Sequence, residues 1–212
     1  MGEKIGKNTP RIAVFIDAAN LWSSYKSMEK MLELKKLASF LAKKFNADIF
    51  RIFYYVAYPK EGTREKDKIV RLHKFLFFLE KGLKFVVIKK PLKTILLRNK
   101  DGNVIIDEET KEPQTVEKGN LDVEIAMDVM KFSTAFEIGI FFTGDSDFLP
   151  LISHLRNLKS SKKVYIFSTK DCVSEELKNG GDGYFDLSDC PEIHQCKLLN
   201  EEDRKKQLTQ KV

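Results

Sequence analysis

The sequence predicts an α/β fold, a doubly wound and mostly parallel sheet with helices on both faces. Short continuous apolar runs recur along the chain, the form taken by strands buried on both faces of a parallel sheet. Helical patterns lie between these runs, so strand and helix alternate as right-handed βαβ units require. Of the 212 residues, 42% are hydrophobic, enough to bury the core of one large domain.

The first run is residues 11–16, followed by Asp17. Others lie at 49–56, 85–88, 138–142 and 164–167. Residues 33–45 read as a helix rich in Leu, Lys and Ala. Residues 66–79 read as another, with Ile69, Leu72, Leu76 and Leu79 at near-helical spacing. Two more are expected at 122–132 and 147–158. One stretch breaks the alternation. Residues 92–97 and 104–107 flank a turn containing Asp101-Gly102, a strong hairpin signal, so 92–107 read as an inserted β-hairpin followed by a polar loop. The expected organisation is a flexible N-terminus (1–10), a domain over 11–190 with 92–118 as the inserted hairpin and loop, and a polar tail (191–212).

Charge and cysteine content narrow the class. Lys and Arg number 37 against 31 Asp and Glu, a formal balance of +6. Residues 84–100 hold six basic residues and no acid. A basic surface beside an acidic pocket suits a metal-dependent enzyme acting on nucleic acid. No apolar run approaches the roughly 20 residues of a membrane span. The N-terminus has no signal-peptide pattern, and the three sparse cysteines argue for a reducing, cytoplasmic setting.

The chemistry-bearing residues are acids at element ends. Asp17 follows five apolar residues at the end of the first strand, where open α/β sheets place ligands. Asn20 can cap the following helix, which frees Asp17 for a site. Asp145 ends a second buried strand in Thr143-Gly144-Asp145-Ser146-Asp147. Gly144 permits a sharp turn there. Ser146 and Asp147 suit the first turn of the next helix, and capping alone accounts adequately for Asp147. Asp122 opens a helix on what reads as its apolar side, with Val123, Ile125, Ala126, Val129 and Met130. Asp128 reads as a solvated charge on the other side, near Glu124. Several converging carboxylates repel one another, and Mg²⁺ or Mn²⁺ relieves that repulsion with an all-oxygen ligand set. Such an ion suits phosphodiester hydrolysis.

Other signals are weaker. Cys190, His194 and Cys196 match no standard zinc spacing. His73 and His154 sit in helical patterns and suit packing or surface roles. Gly180-Gly181-Asp182-Gly183 follows a helix and reads as its stop. Phe75, Phe77 and Phe78 read as core residues. Lys89, Lys90, Lys93, Arg98 and Lys100 can contact phosphates from the hairpin or can guard a sheet edge against aggregation, and the two readings are close to even.

Three blocks carry a resemblance. They are Phe15-Ile16-Asp17-Ala18-Ala19-Asn20-Leu21, the segment from Lys118-Gly119-Asn120-Leu121-Asp122 to Asp128, and Thr143-Gly144-Asp145-Ser146-Asp147-Phe148. Together they resemble the signature blocks of the NYN domain, a family of PIN-like nucleases. Ser174-Glu175-Glu176-Leu177 and Tyr184-Phe185-Asp186-Leu187 are similar to the closing segment of its bacterial LabA-like branch. The resemblance spans roughly residues 11–188. It implies a three-layer PIN-like α/β/α sandwich and a Mg²⁺- or Mn²⁺-dependent ribonuclease site.

By that resemblance Asp17, Asp122 and Asp145 bind metal with Asp147 beside them, Asn20 joins the site, and Asp128 becomes a further candidate. It also brings Lys118 and Ser146 forward as nucleic-acid contacts. Two departures stand out: Ala18-Ala19 replaces a Gly-Ser type pair, and the middle block carries one extra residue before Asp122. The implied partner is RNA, with DNA a second candidate, no membrane, and pairing of two copies an option. The competing reading is a non-catalytic RNA-binding or regulatory module that keeps the acidic pocket. A haloacid-dehalogenase-type phosphatase is rejected, because the second acid it needs would stand at Ala19.

Overall fold

The computed structural model describes residues 9–59 and 64–195. The expected N-terminal segment and polar tail, Cys196 included, lie largely outside the described residues. Six parallel strands form the central sheet: β1 (Arg11–Asp17), β2 (Asp48–Tyr58), β3 (Val86–Pro91), and then β6 (Ile138–Phe142), β7 (Lys163–Ser168) and β8 (Gly183–Asp186). Their order across the sheet is β3-β2-β1-β6-β7-β8. The chain therefore builds outward from β1 in one direction and then in the other. This places the topological switch between β1 and β6, where the connecting helices lie on opposite faces.

Two cores hold the helices. Inward residues of β1 alternate between them, with Ile12, Val14 and Ile16 in one and Ala13 and Phe15 in the other. The first core takes α1 (Ala18–Met28), α2 (Leu34–Phe45) and α3 (Lys66–Phe77) through Leu21, Tyr25, Leu37, Leu41 and Leu76. The second takes α4 (Asp122–Phe132), α5 (Leu149–Arg156) and α6 (Glu175–Gly180) through Ile125, Val129, Ile152, Leu155 and Leu177. The result is the three-layer α/β sandwich that the alternation of elements predicts.

Three expectations are corrected. The ribbon inserted after β3 pairs β4 (Lys93–Leu96) with β5 (Thr115–Lys118), antiparallel, and not with residues 104–107. The Asp101-Gly102 turn does form, with Gly102 at φ 84°. It closes the Arg98–Val104 bridge and the bond from the Ile105 N–H to the Leu97 carbonyl, and a second turn at Asp107 sends the chain back so that 115–118 pairs with β4. Phe77 and Phe78 are exposed, not core, at 63% and 37%. A π-helical turn, Phe78–Gly82, follows α3 and keeps Leu76 and Leu79 facing inward, which leaves both phenylalanines outward. In α4, Val123 and Met130 are exposed, because Leu121, Ile125 and Val129 form the buried stripe. At 100° per residue Asp122 and Asp128 each lie roughly 60° from Ile125, so both sit on shoulders of that stripe and both are half-buried.

Among the described residues no helix is long and apolar enough to cross a membrane. Cys190 is buried, and the His194 ring bonds to the Leu187 carbonyl at 2.7 Å, so both serve packing. His73 and His154 are exposed on their helices.

Candidate metal centre

The carboxyl ends of β1 and β6 lie side by side, with Ile16 opposite Phe142 in the ladder. Asp17 and Asp145 therefore leave the sheet at neighbouring points. Asp17 is the N-cap of α1. Its Oδ1 accepts from the Ala19 N–H at 2.9 Å, and its Oδ2 accepts from the Asn20 side-chain amide at 2.6 Å. Asn20 is thus not the cap. It lies in the first turn of α1, and its Oδ1 accepts the Gly144 N–H at 3.2 Å. One amide ties the β1–α1 junction to the turn after β6.

That turn can only be made by glycine. A Cβ at Gly144 would run into the Cys172 carbonyl. The turn is extended by Thr143, whose Oγ1 accepts the Asp145 N–H at 3.2 Å, and by Asp145, whose Oδ1 accepts the Asp147 N–H at 2.9 Å. Ser146 and Asp147 open a short 3-10 helix (Ser146–Phe148) that leads into α5.

Asp122 arrives from the other side as the first residue of α4. Asn120 holds it reciprocally: its side-chain amide donates to Asp122 Oδ2 at 2.6 Å, and its Oδ1 accepts the Asp122 N–H at 2.7 Å. Asn120 was not singled out in the sequence, although an Asn two residues before a helix-opening acid is a recognisable turn pattern.

Asp122, Asp145 and Asp147 each offer an oxygen within 4.8 Å of the others. Asp17 stands close enough for its charge to act on Asp122. Burial pushes the Asp17 carboxyl above the ordinary carboxylate range. Hydrogen bonds from Asn20 and Ala19 pull against that, and the charge on Asp145 adds to the rise. Burial also raises Asp122; Asn120 opposes it, and Asp145, Asp17 and Asp147 reinforce it. An all-oxygen acidic set under mutual repulsion fits a hard divalent cation.

Asp128 does not join this group. It lies six residues along α4, about 9 Å further down the helix axis. Nor is it a solvated surface charge, since it accepts the Tyr55 hydroxyl at 3.1 Å. Burial and this neighbour hold the Tyr55 hydroxyl protonated, so it remains the donor.

The candidate nucleic-acid residues separate into two sets. Lys90 is committed within the fold, to Glu124 at 2.7 Å and the Asn120 carbonyl at 2.8 Å. Lys89 lies 3.7 Å from Glu80, and Arg98 closes its own turn on the Gly102 carbonyl. Lys93, Lys100 and Lys118 are exposed, and Lys93 and Lys118 are directly opposed across the ribbon. The ribbon runs from Lys118 through Gly119 into Asp122. Beside it, a cavity of about 780 Å³ opens between α1, α2 and α3.

Comparisons with known proteins agree with this architecture. The model of the NYN domain family matches residues 11–188. The chain is 23% identical over 181 residues to the low amplitude and bright protein LabA of Synechococcus elongatus, covering 84% of each chain. Its fold is similar to a crystal structure of a protein of unknown function from Vibrio parahaemolyticus, with a TM-score of 0.62 and 17% identity over 89% of this chain and 98% of that one.

Proposed function

Starting from the fact that this chain belongs to the NYN domain family, and within it is LabA-like, we propose that it is a divalent-metal-dependent endoribonuclease that hydrolyses RNA phosphodiester bonds at the acidic edge of its sheet. The observation that carries the reading is the convergence of Asp122, Asp145 and Asp147 oxygens within 4.8 Å, with Asp17 coupled to them. These residues come from three separate elements. Simple capping needs no such convergence, whereas a shared cation does.

Asp122, Asp145 and Asp147 would hold Mg²⁺ or Mn²⁺, with Asp17 direct or through water. Bound there, the ion would supply Lewis-acid chemistry and neutralise charge on the phosphate. The chain's own residues do the rest. Asn20 fixes the direction of the Asp17 carboxylate. Asp17, ionised and aimed by Asn20, accepts the proton of an attacking water. The water oxygen forms the new bond to phosphorus as the bond to the leaving oxygen breaks, and that oxygen is protonated from solvent. Lys93 and Lys118 support the flanking backbone. Like charges directly opposed on a ladder cost stability, and a phosphate between them would offset that cost.

The test is cleavage of labelled single-stranded RNA and DNA by the purified protein with Mg²⁺, Mn²⁺ or EDTA, beside Asp145→Asn. The expected result is metal-dependent RNA cleavage lost in the variant, with an unchanged circular dichroism spectrum. Wild-type cleavage by Asp145→Asn, or cleavage persisting in EDTA, overturns the proposal. RNA binding without cleavage would identify a non-catalytic RNA-binding module.

A further inference from the structure

The cavity beside the acidic edge is lined mostly by apolar and aromatic side chains. Its volume is about 780 Å³, within the range of sites that enclose small organic groups. Trp22 and Tyr25 of α1 form one wall, and Phe75 and Phe78 form another. Trp22, the sole tryptophan, remains 48% exposed; Tyr25 meets it edge-on at 6.2 Å. Lys35 adds a cation at the rim, with Nζ 5.5 Å from the centre of the Phe78 ring.

Three lining residues set this space next to the candidate metal centre. Ala18 and Ala19 line it, and they are the two residues between Asp17 and Asn20. Gly119 lines it too, immediately before the Asn120 that holds Asp122. A Cβ at Gly119 would strike Ala57 and Leu92, so the chain packs closely against β2 at this residue only because it has no side chain. Along α1, Trp22 stands five residues from Asp17, about 7.5 Å on the helix axis.

We propose that this cavity receives an unstacked nucleobase of a single-stranded nucleic acid whose backbone phosphate lies at the acidic edge. This rests on the nucleic-acid part of the proposed function. A base is flat, presents a π-face to aromatic side chains and brings a phosphate for nearby cations, and the cavity offers both kinds of partner. An aliphatic protein segment would fill the same volume but leave Lys35 and the exposed ribbon lysines without an anion. Because every base has a π-face, the pocket selects single strands over duplexes without selecting sequence.

The single tryptophan supplies the readout. Trp22 fluorescence is recorded immediately on mixing with a short mixed-sequence single-stranded RNA, with the same sequence as a duplex, and with an abasic strand of equal length, all in Mg²⁺. Cleavage is measured in the same samples. Base-containing single strand should quench Trp22, and duplex and abasic strand should not. Trp22→Leu should bind the single strand about tenfold more weakly, the loss of one stacked base, while Trp22→Phe should recover most of the affinity. Its half-exposed position means both variants should stay folded, checked by thermal unfolding.

Equal quenching by the abasic strand, or unchanged affinity in Trp22→Leu, overturns the pocket. Cleavage that survives such a result leaves the nuclease reading standing alone. Base-dependent quenching without cleavage keeps the pocket and removes the nuclease. A change in oligomeric mass in Trp22→Leu with unchanged RNA affinity overturns the proposal in favour of a second copy of the chain.

Discussion

Asn20 joins the two halves of the candidate site, because one side chain serves two partners. Its amide donates to a carboxylate and its carbonyl oxygen accepts a backbone N–H, and only one orientation satisfies both. Asn20→Ala removes a hydrogen bond to a charged group, a loss of about 1.5–3 kcal/mol, and leaves the buried Gly144 N–H unsatisfied, a further loss of about 1–3 kcal/mol. Better helix propensity returns roughly 0.5 kcal/mol. The two losses overlap, so the net destabilisation should be about 2–4 kcal/mol. Urea unfolding measures it through the midpoint at constant slope.

Asn20→Asp separates the two roles. It keeps an acceptor for Gly144 but places a second carboxylate against Asp17. At 4 Å and an effective dielectric constant of 20 that repulsion is about 4 kcal/mol, limited by uptake of a proton. This variant should be less stable than wild type in EDTA and should recover much of the difference in Mg²⁺. A loss under about 0.5 kcal/mol in Asn20→Ala, with cleavage unchanged, would refute the bridging role.

Other consequences are more local. Gly144→Ala should lower stability by at least about 2 kcal/mol and abolish cleavage, since the new Cβ meets the Cys172 backbone. A wild-type melting temperature would contradict the tight turn. Asp128→Asn should leave cleavage intact, whereas Tyr55→Phe should cost about 1–3 kcal/mol by removing the donor to a half-buried carboxylate. Loss of activity in Asp128→Asn would return that residue to the site. The raised proton affinities of Asp17 and Asp122 give a pH signature. Without metal, the stability each contributes is fully present below its unfolded value, about 3.9, and is lost as pH rises through the higher folded value. A divalent ion favours the ionised forms, so the rise in melting temperature on adding Mg²⁺ should be larger at neutral pH than in the acidic range. A rise independent of pH would separate the two carboxyls from metal binding.

The parts of the fold that were legible in the sequence are those where one local rule suffices. Residues 138–142 are buried along their whole length and bounded by polar residues, so an apolar run marks β6 to the residue. The ends of α4 follow from its acidic start and the polar residues after Phe132. β8 was not legible: it is four residues long, starts at a glycine and lies at the sheet edge, so no apolar run announces it. The ribbon shows the same limit. Asn99 and Asp107 each organise a turn through their own side chains, which a local reading can find. Which strand then pairs with β4 depends on where the second turn returns the chain.

The candidate site divides along the same line. Each acid was visible because it ends a buried strand or opens a helix, and those positions converge wherever parallel strands present their carboxyl ends together. The groups that aim the acids, Asn120 and Thr143, leave only a local turn pattern, and nothing in that pattern says that the acid two residues on belongs to a site. Asp128 shows why type and proximity in sequence are insufficient. It occupies the same kind of shoulder on α4 as Asp122, with the same chemistry, yet roughly 9 Å of helix rise gives it Tyr55 for a partner while Asp122 meets Asp145. The sheet's switch point decides which carboxylates meet: β1 and β6 leave the sheet there in register, and only an acid at the first turn of α4 reaches the same place. An acidic group assembled from three elements at that point is aimed by Asn20 and Asn120, whose neutral side-chain amides donate to the acids they hold without adding charge. Replacing either by an acid would add charge to a group that already repels itself, and replacing either by an apolar residue would release the carboxylate it aims.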